Sequence, residues 1–177
     1  MKRVLKRLDK VHEKLAATVA PLDEGLFKRQ PADGGWSVAQ IVQHLCLVEE
    51  RVTKDLEKAM SRPPRKVGFV RRFMPTSIVS LRLVRVKAPQ AVNPEAAAEK
   101  DAAPATPSKN EATANYNRAR NDLKKLCATH GEYRFRQIVF KHPFLGEIDG
   151  VAAVSFIGYH ERRHYKQIRE VLRKLKN

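Results

Sequence analysis

Apolar residues recur at helical spacing in four segments of the chain. The first runs from Lys2 to Val19, and its apolar stripe consists of Leu5, Leu8, Val11, Leu15 and Val19. Residues three and four positions apart share one face of an α-helix, so this spacing predicts an amphipathic helix. Pro21 follows and prevents its continuation, because proline lacks the amide hydrogen that a helix needs.

The second predicted helix begins in the stretch GGWSVAQ. Ser37 and Gln40 match a capping box, in which both side chains satisfy free backbone amides at a helix start. The helix is expected to end before Pro63. Its predicted buried stripe consists of Val38, Ile41, Leu45, Val48, Val52 and Leu56.

The third helix is predicted from a second capping box, formed by Ser108 and Glu111. The pair His130-Gly131 predicts its end, since glycine is common just past a helix C-terminus. Its predicted buried face consists of Ala112, Tyr116, Ala119, Leu123 and Leu126.

The fourth helix is predicted to start at Asp149, as N-cap, and to run to the end of the chain. Its stripe consists of Ala153, Ile157, His160, His164, Ile168, Val171 and Leu175. The two histidines are the unusual members of an otherwise apolar face.

Residues 61–107 form a long crossover between the second and third helices. From Lys58 to Pro94 there are nine Lys or Arg and no acidic residue, and an Ala/Pro-rich linker follows. The piece TSIVSLRLV predicts one or two helical turns. Later in the chain, Glu132 to Phe140 could be extended, but as a lone strand it has no partner, so no sheet is predicted.

These elements predict one all-α domain over residues 1–177, a four-helix bundle with residues 61–107 as a basic, then Ala/Pro-rich, crossover insertion. Such a crossover can run back along a helix of about 30 Å, so the second and third helices need not form an antiparallel hairpin. An up-down-down-up order is therefore favoured.

The overall charge favours anionic partners, because Lys and Arg outnumber Asp and Glu by 35 to 19, for a net charge of +16. The two cysteines, Cys46 and Cys127, have no paired spacing, which argues against a disulfide framework and for a reducing cytoplasm. The charged N-terminus does not resemble a secretory signal, and no apolar run reaches the ~18 residues of a membrane span.

His160 and His164 are one turn apart and share the inward face of the last helix. An unsatisfied buried imidazole costs roughly 1–3 kcal/mol, and a divalent metal would remove that cost. The alternative is two core histidines that hydrogen-bond to other side chains.

The same stretch contains H-E-x-x-H, a zinc-protease pattern, but Glu161 points roughly 100° away from the histidine face. A protease site is therefore disfavoured.

A third ligand must come from upstream, where the candidates are His12, His44, His130 and His142. His44 lies within the buried arc of the second helix and is the best candidate. His12 lies next to an apolar stripe and stays a competitor. His130 and His142 lie at positions typical of loops.

Three segments together, GGWSVAQIVQHLCLVEE, HPFLGEIDG and YHERRHYKQI, resemble the DinB/YfiT-like family of bacterial metal-binding four-helix bundles. The resemblance implies an up-down-down-up bundle with a three-histidine metal site at His44, His160 and His164. The residues that match the family pattern are Trp36, Ser37 and His44, then His142, Pro143 and Gly146, then His160, His164, Gln167 and Ile168.

Three imidazoles leave coordination positions open on a divalent ion such as zinc or nickel, and Cys46 is poorly placed to close the shell. Similar family members use the metal to activate small thiols for transfer or for isomerisation. The resemblance thus implies a metal-dependent transferase or hydrolase, with a metal-activated thiol or water as nucleophile. We expect a small-molecule substrate, anionic or thiol-containing, and assign no catalytic residue.

The alternative function is a basic, non-enzymatic binding module with a structural or vestigial metal site. The segment from Arg62 to Lys87 would be its anionic-partner surface, or a lid for an acidic substrate, or a solvated loop. No known DNA-reading motif is present and few aromatics are available for stacking on bases, which disfavours nucleic acid without excluding it. The sequence leaves the oligomeric state open, a homodimer included.

Overall fold

The computed structural model describes residues 1–68, 106–142 and 145–176. The described residues form a mostly helical bundle, as predicted, with one short antiparallel hairpin added. Its elements are α1 Lys2–Val19, α2 Glu24–Lys28, α3 Val38–Met60, α4 Lys109–Phe135, β1 Val139–His142, β2 Gly146–Asp149 and α5 Gly150–Lys174.

The three predicted caps start the long helices where the sequence places them. Ser37 and Gln40 exchange side-chain and backbone hydrogen bonds at the start of α3, and Ser108 and Glu111 do the same at the start of α4. The Asp149 carboxylate accepts a hydrogen bond from the backbone amide of Ala152 at the start of α5. Each cap satisfies amides that a helix start leaves without a partner.

Contacts along α1 show its direction relative to two other helices. Lys124 of α4 pairs with Asp9 at 3.0 Å, whereas Lys109, at the start of α4, donates to the carbonyl of Ala20, just past the end of α1. The two helices are therefore antiparallel. Leu8 lies against Gly158 of α5, so these side chains are at the same height in the bundle.

The remaining directions follow from two apolar clusters. One cluster joins the start of α3 with the start of α4 and with the ends of α1 and α5. The other cluster joins the opposite ends of the same four helices. Helices α3 and α4 are therefore parallel to each other, as are α1 and α5. This is the predicted up-down-down-up order.

The predicted end of α4 was confirmed in part. The regular helix is interrupted at Gly131, the residue predicted to end it, which has φ 68°, and a further short helical turn continues to Phe135. Glycine tolerates the positive φ, and the extra turn places Phe135 in the core. The stretch after it is not a lone strand, because β1 pairs with β2. The partner strand, which begins at Gly146, was not predicted.

A further short helix, α2, was not predicted. The Asp23 side chain accepts a hydrogen bond from the amide of Leu26 at 2.7 Å, and Phe27 is fully buried. The cap and one buried aromatic ring explain why five residues form a helix here.

Residues 69–105, which hold most of the predicted crossover insertion, and Pro143 and Phe144 lie outside the described residues. The extent of that insertion and the helical turns predicted within it therefore stay predictions. The first residues of the crossover are described: Arg65 donates through its amide to Gln137 and pairs with Glu147 of β2. Among the described residues, no helix is long and apolar enough to cross a membrane.

Candidate metal centre

Helices α3 and α5 bring three histidine rings together inside the bundle. The Nε2 atom of His160 lies 3.4 Å from Nε2 of His44 and 3.2 Å from Nε2 of His164. One ring nitrogen from each histidine lies within 4.8 Å of the others. Within the described ranges this is the one group of His, Cys, Asp and Glu side chains with the spacing of a metal site.

The spacing of these nitrogens fits a divalent ion. Two imidazole nitrogens that each lie about 2.0–2.1 Å from a tetrahedral zinc ion are about 3.3 Å apart. The observed separations of 3.4 and 3.2 Å bracket that value. A proton shared between two of the rings could satisfy one contact, whereas a central cation would engage all three nitrogens.

Burial holds His160 in the form that binds metal. His44 and His164 are buried and His160 is partly buried. Burial, followed by the proximity of His164 and His44, lowers the pKa of His160 well below its ordinary value. The ring is therefore neutral near pH 7, and a neutral imidazole is the form that coordinates a metal.

Gln167 orients one of the three rings. Its side-chain oxygen, one helical turn beyond His164, lies 2.8 Å from Nδ1 of that histidine. An amide oxygen only accepts hydrogen bonds, so Nδ1 of His164 carries the proton. In the neutral ring this leaves the lone pair on Nε2, the atom that faces His160.

Two aromatic rings pack against the histidine group. The Trp36 ring centroid lies 5.1 Å from that of His44, and Phe156 lies 5.4 Å from His160. Phe156 also meets the ring of His142 edge to face at 4.3 Å. The rings of Trp36 and Phe156 therefore cover part of the histidine group.

His142 lies near the centre without belonging to the three-nitrogen group. Its Nδ1 accepts a hydrogen bond from the backbone amide of Leu145 at 3.1 Å. Burial lowers the pKa of His142 to about 4, so the ring is neutral near pH 7 and its proton is on Nε2. In this tautomer Nε2 of His142 is a hydrogen-bond donor.

The other upstream candidates lie elsewhere. His12, the competitor for the third position, is 2.8 Å from the Asn117 side-chain oxygen and faces Glu161 rather than the group. His130 is exposed near the kink of α4. The Cys46 thiol points to Glu50, at 3.7 Å, and burial followed by the Glu50 charge raises its pKa to about 12.

A buried charged cluster lies on the other side of α5. The Arg120 guanidinium donates to both oxygens of Glu49, at 2.6 and 3.2 Å, and to Glu161 at 2.9 Å. Tyr116 donates to the second oxygen of Glu161 at 2.6 Å. Arg120 of α4 therefore links α3 to α5, the two helices that carry the histidines.

Burial shifts the pKa values within this cluster. It raises the pKa of Glu49 and, together with Glu161, that of Tyr116. Burial alone would lower the pKa of Arg120, but the hydrogen bonds and charges of Glu49 and Glu161 outweigh it, so the pKa of Arg120 is raised. The guanidinium thus stays charged between two carboxylates.

Sequence reasoning missed this cluster, although each member lies on a buried stripe. Arg120 follows Tyr116 by four residues, and Glu49 follows Leu45 by the same interval. Charged residues are seldom fully buried unless they are paired. Charged residues of opposite sign on the buried stripes of different helices could therefore have indicated a buried ion pair. The contacts also explain why H-E-x-x-H is no protease signature here: the carboxylate of Glu161 binds Arg120 and Tyr116, away from the histidines.

The chain is similar in sequence to known proteins. The model of the DinB superfamily matches residues 7–168. The uncharacterized protein YuaE of Bacillus subtilis (strain 168) is 24% identical over 154 residues, which cover 87% of this chain and 88% of YuaE.

Two solved structures share the fold. YfiT from Bacillus subtilis, described as a probable metal-dependent hydrolase with an unusual four-helix bundle topology, superposes with a TM-score of 0.69 at 19% identity. The match covers 99% of this chain and 87% of YfiT. TT2238, a four-helix bundle protein, gives a TM-score of 0.61 at 20% identity, with 96% and 98% of the two chains covered.

Proposed function

Because this chain belongs to the DinB superfamily, we propose that it is a metal-dependent enzyme whose divalent ion is held by His44, His160 and His164. Zinc and nickel are the ions that we propose, since both accept imidazole nitrogen. The reaction is hydrolysis, or transfer to a small thiol, on a small-molecule substrate.

The observation that supports this proposal most is the convergence of three ring nitrogens from two helices, at separations of 3.2 and 3.4 Å. No Cys, Asp or Glu of the described residues joins that group. Three protein ligands are typical of catalytic rather than structural zinc sites, because positions stay open for water and substrate. A bound ion of this kind supplies Lewis acidity that makes water or a thiol nucleophilic near pH 7.

The chain's own residues orient the proposed ligands and cover part of the group. Gln167 holds the His164 ring in the tautomer that directs Nε2 to the group. Trp36 and Phe156 pack against the ligand rings.

The nucleophile is proposed to come from outside the chain. Burial raises the pKa of Cys127 to about 11 and, with Glu50, that of Cys46 to about 12, so both thiols are protonated near pH 7. If the nucleophile is water, the reaction is hydrolysis, for which YfiT, a probable metal-dependent hydrolase, is the precedent. If the nucleophile is a low-molecular-weight thiol, the reaction is the transfer that the family resemblance implies.

Turnover before and after metal removal tests the proposal. Protein stripped with a chelator and reloaded with zinc or nickel would be assayed against a panel of small esters and amides, and against thiol acceptors with an electrophilic substrate. We expect activity in either the hydrolysis assay or the thiol-transfer assay. That activity should be lost on stripping, restored on reloading and absent from His44→Ala. Activity that survives stripping, or that His44→Ala retains, would contradict it.

A further inference from the structure

The outward face of α1 carries a row of basic side chains. They are Arg3, Arg7, Lys10 and Lys14, at intervals of four, three and four residues, and all four are exposed. Side chains at these intervals lie along one stripe of a helix. The stripe is about 16 Å long, at 1.5 Å per residue.

Helix α5 repeats the pattern at the same intervals. Its row consists of Arg162, Lys166, Arg169 and Arg173, and again all four side chains are exposed. The α5 stripe also has a length of about 16 Å.

The two rows join into one surface, which we name the α1–α5 band. The helices are parallel, and Leu8 lies at the height of Gly158, so the α5 row begins near the height at which the α1 row ends. At the junction, Arg7 donates to the Tyr159 hydroxyl at 2.5 Å, and its guanidinium lies 5.3 Å from that ring. The band therefore runs obliquely over both helices for about 30 Å.

The positive charges of the band are not neutralised within the described part of the chain. None of its eight side chains forms an ion pair there. Elsewhere on the surface, Arg51, Lys124 and Arg136 do pair with carboxylates. A continuous row of unpaired cations raises the local concentration of anionic partners.

We propose that the α1–α5 band binds the phosphate backbone of a nucleic acid, a role separate from that of the histidine site. A narrow track of about 30 Å with regularly spaced cations complements a linear polyanion that carries one phosphate per ~3.4 Å of each strand. Five of the eight side chains are arginines, whose planar guanidinium binds phosphate with two parallel hydrogen bonds.

The composition of the band favours nucleic acid over an anionic bilayer. All eight of its side chains are charged. Within the described residues the one large exposed apolar side chain is Tyr133, on α4. The band thus offers no apolar side chain to insert between lipids.

The sequence contains no known base-reading motif and few aromatic residues for stacking on bases. Binding through phosphate needs neither, because backbone contacts position a protein without reading sequence. The proposed binding is therefore independent of base sequence and strongly dependent on salt.

Fluorescence anisotropy with a labelled DNA duplex of about 20 base pairs tests the proposal, since that length exceeds the band. The band variant carries Arg7→Gln, Lys10→Gln, Arg162→Gln and Arg169→Gln. The matched control carries Lys54→Gln, Lys58→Gln, Lys125→Gln and Lys141→Gln, which remove the same charge from exposed positions on α3, α4 and β1. Circular dichroism of both variants checks that the bundle is intact.

We expect the wild type to lose about a thousandfold in affinity between ~50 and ~200 mM salt. At low salt the band variant should bind at least about tenfold more weakly than the control, with a shallower salt dependence. Chelator and His44→Ala should leave DNA affinity unchanged, which keeps this test separate from that of the proposed enzyme.

Three results would overturn the proposal. The first is that the wild type does not bind the duplex at low salt. The second is an equal loss of affinity in both variants, which would show that binding depends on the net charge of the protein rather than on the band. Band-dependent binding to vesicles of anionic phospholipid, without binding to the duplex, would assign the surface to membranes instead.

Discussion

His160 and Glu161 are neighbours in the chain, yet they belong to two polar regions with opposite chemistry. His160 faces α3 in a group of three ring nitrogens that contains no carboxylate. Glu161 faces α4 in a cluster where Arg120 and Tyr116 already bind its oxygens. A step of one residue turns a helix by about 100°, which separates the two environments.

The difference between the regions indicates which one is built to accept a ligand. In the charged cluster, each carboxylate meets a donor from the protein, so the cluster is complete as it stands. In the histidine group, ring nitrogens face other ring nitrogens at 3.2 and 3.4 Å. A central cation would satisfy that arrangement. The charged cluster links the helices, and the histidine group is the proposed metal site.

The largest expected effect comes from the removal of the guanidinium that links the helices. Arg120→Met leaves Glu49 and Glu161 buried without their cation, and we expect a loss of about 3–5 kcal/mol in the free energy of unfolding. Urea denaturation at pH 7 measures it. The matched control, Lys124→Met, breaks a half-exposed pair with Asp9 and should cost less than about 1 kcal/mol.

Equal losses for the two variants would mean that the buried cluster contributes no more than a surface pair. The comparison between the two regions would then no longer hold, because the cluster would not be the structural link.

A smaller effect is expected at the residue that orients His164. Gln167→Ala removes the acceptor from Nδ1, so the ring is free to rotate and to change tautomer, and we expect zinc affinity to fall about 10–100-fold. Competition against a chromophoric chelator measures the affinity. Gln167→Glu keeps an acceptor oxygen and should retain affinity near the wild-type value. A full loss in Gln167→Glu, or no loss in Gln167→Ala, would contradict the proposed orientation.

The smallest effect is a pH dependence of stability from Glu49. Burial raises its pKa although Arg120 opposes the shift, so the folded state holds this proton more tightly than the unfolded state. The stabilising contribution of the bound proton is therefore present below about pH 4.3, the ordinary pKa of glutamate. It is lost as the pH rises through the pKa that Glu49 has in the folded state.

Glu49→Gln cannot ionise at this position. The free energy of unfolding of the wild type minus that of Glu49→Gln should therefore decrease as pH rises from acid towards neutrality. Denaturant unfolding at a series of pH values measures this difference. An increase with pH would show that Arg120 stabilises the carboxylate by more than burial costs.

Most of the fold could be predicted because its signals are local. The residues of each capping box, at Ser37 and at Ser108, lie within one helical turn of each other. Neighbouring members of each apolar stripe are equally close in the sequence. The interruption at Gly131 also had a local signal, because glycine is common at a helix end. The further turn to Phe135 and the pairing of β1 with β2 depend on packing in the core, which no local pattern shows.

The candidate site divides in the same way. The spacing of His160 and His164 is local, whereas the choice between His12 and His44 depended on which helix packs against α5 near the pair. The cluster around Arg120 was missed because it needs side chains from three helices, and a charged residue on a stripe looks like a surface position until its partners are placed.

The metal content of purified protein tests the central claim most directly. Chelator-stripped protein would be reloaded with zinc, dialysed and analysed for metal per chain by mass spectrometry. We predict about one ion per chain for the wild type and for the control His130→Ala, whose histidine is exposed and outside the group, and far less for His44→Ala. Undiminished zinc in His44→Ala would contradict a site shared by α3 and α5.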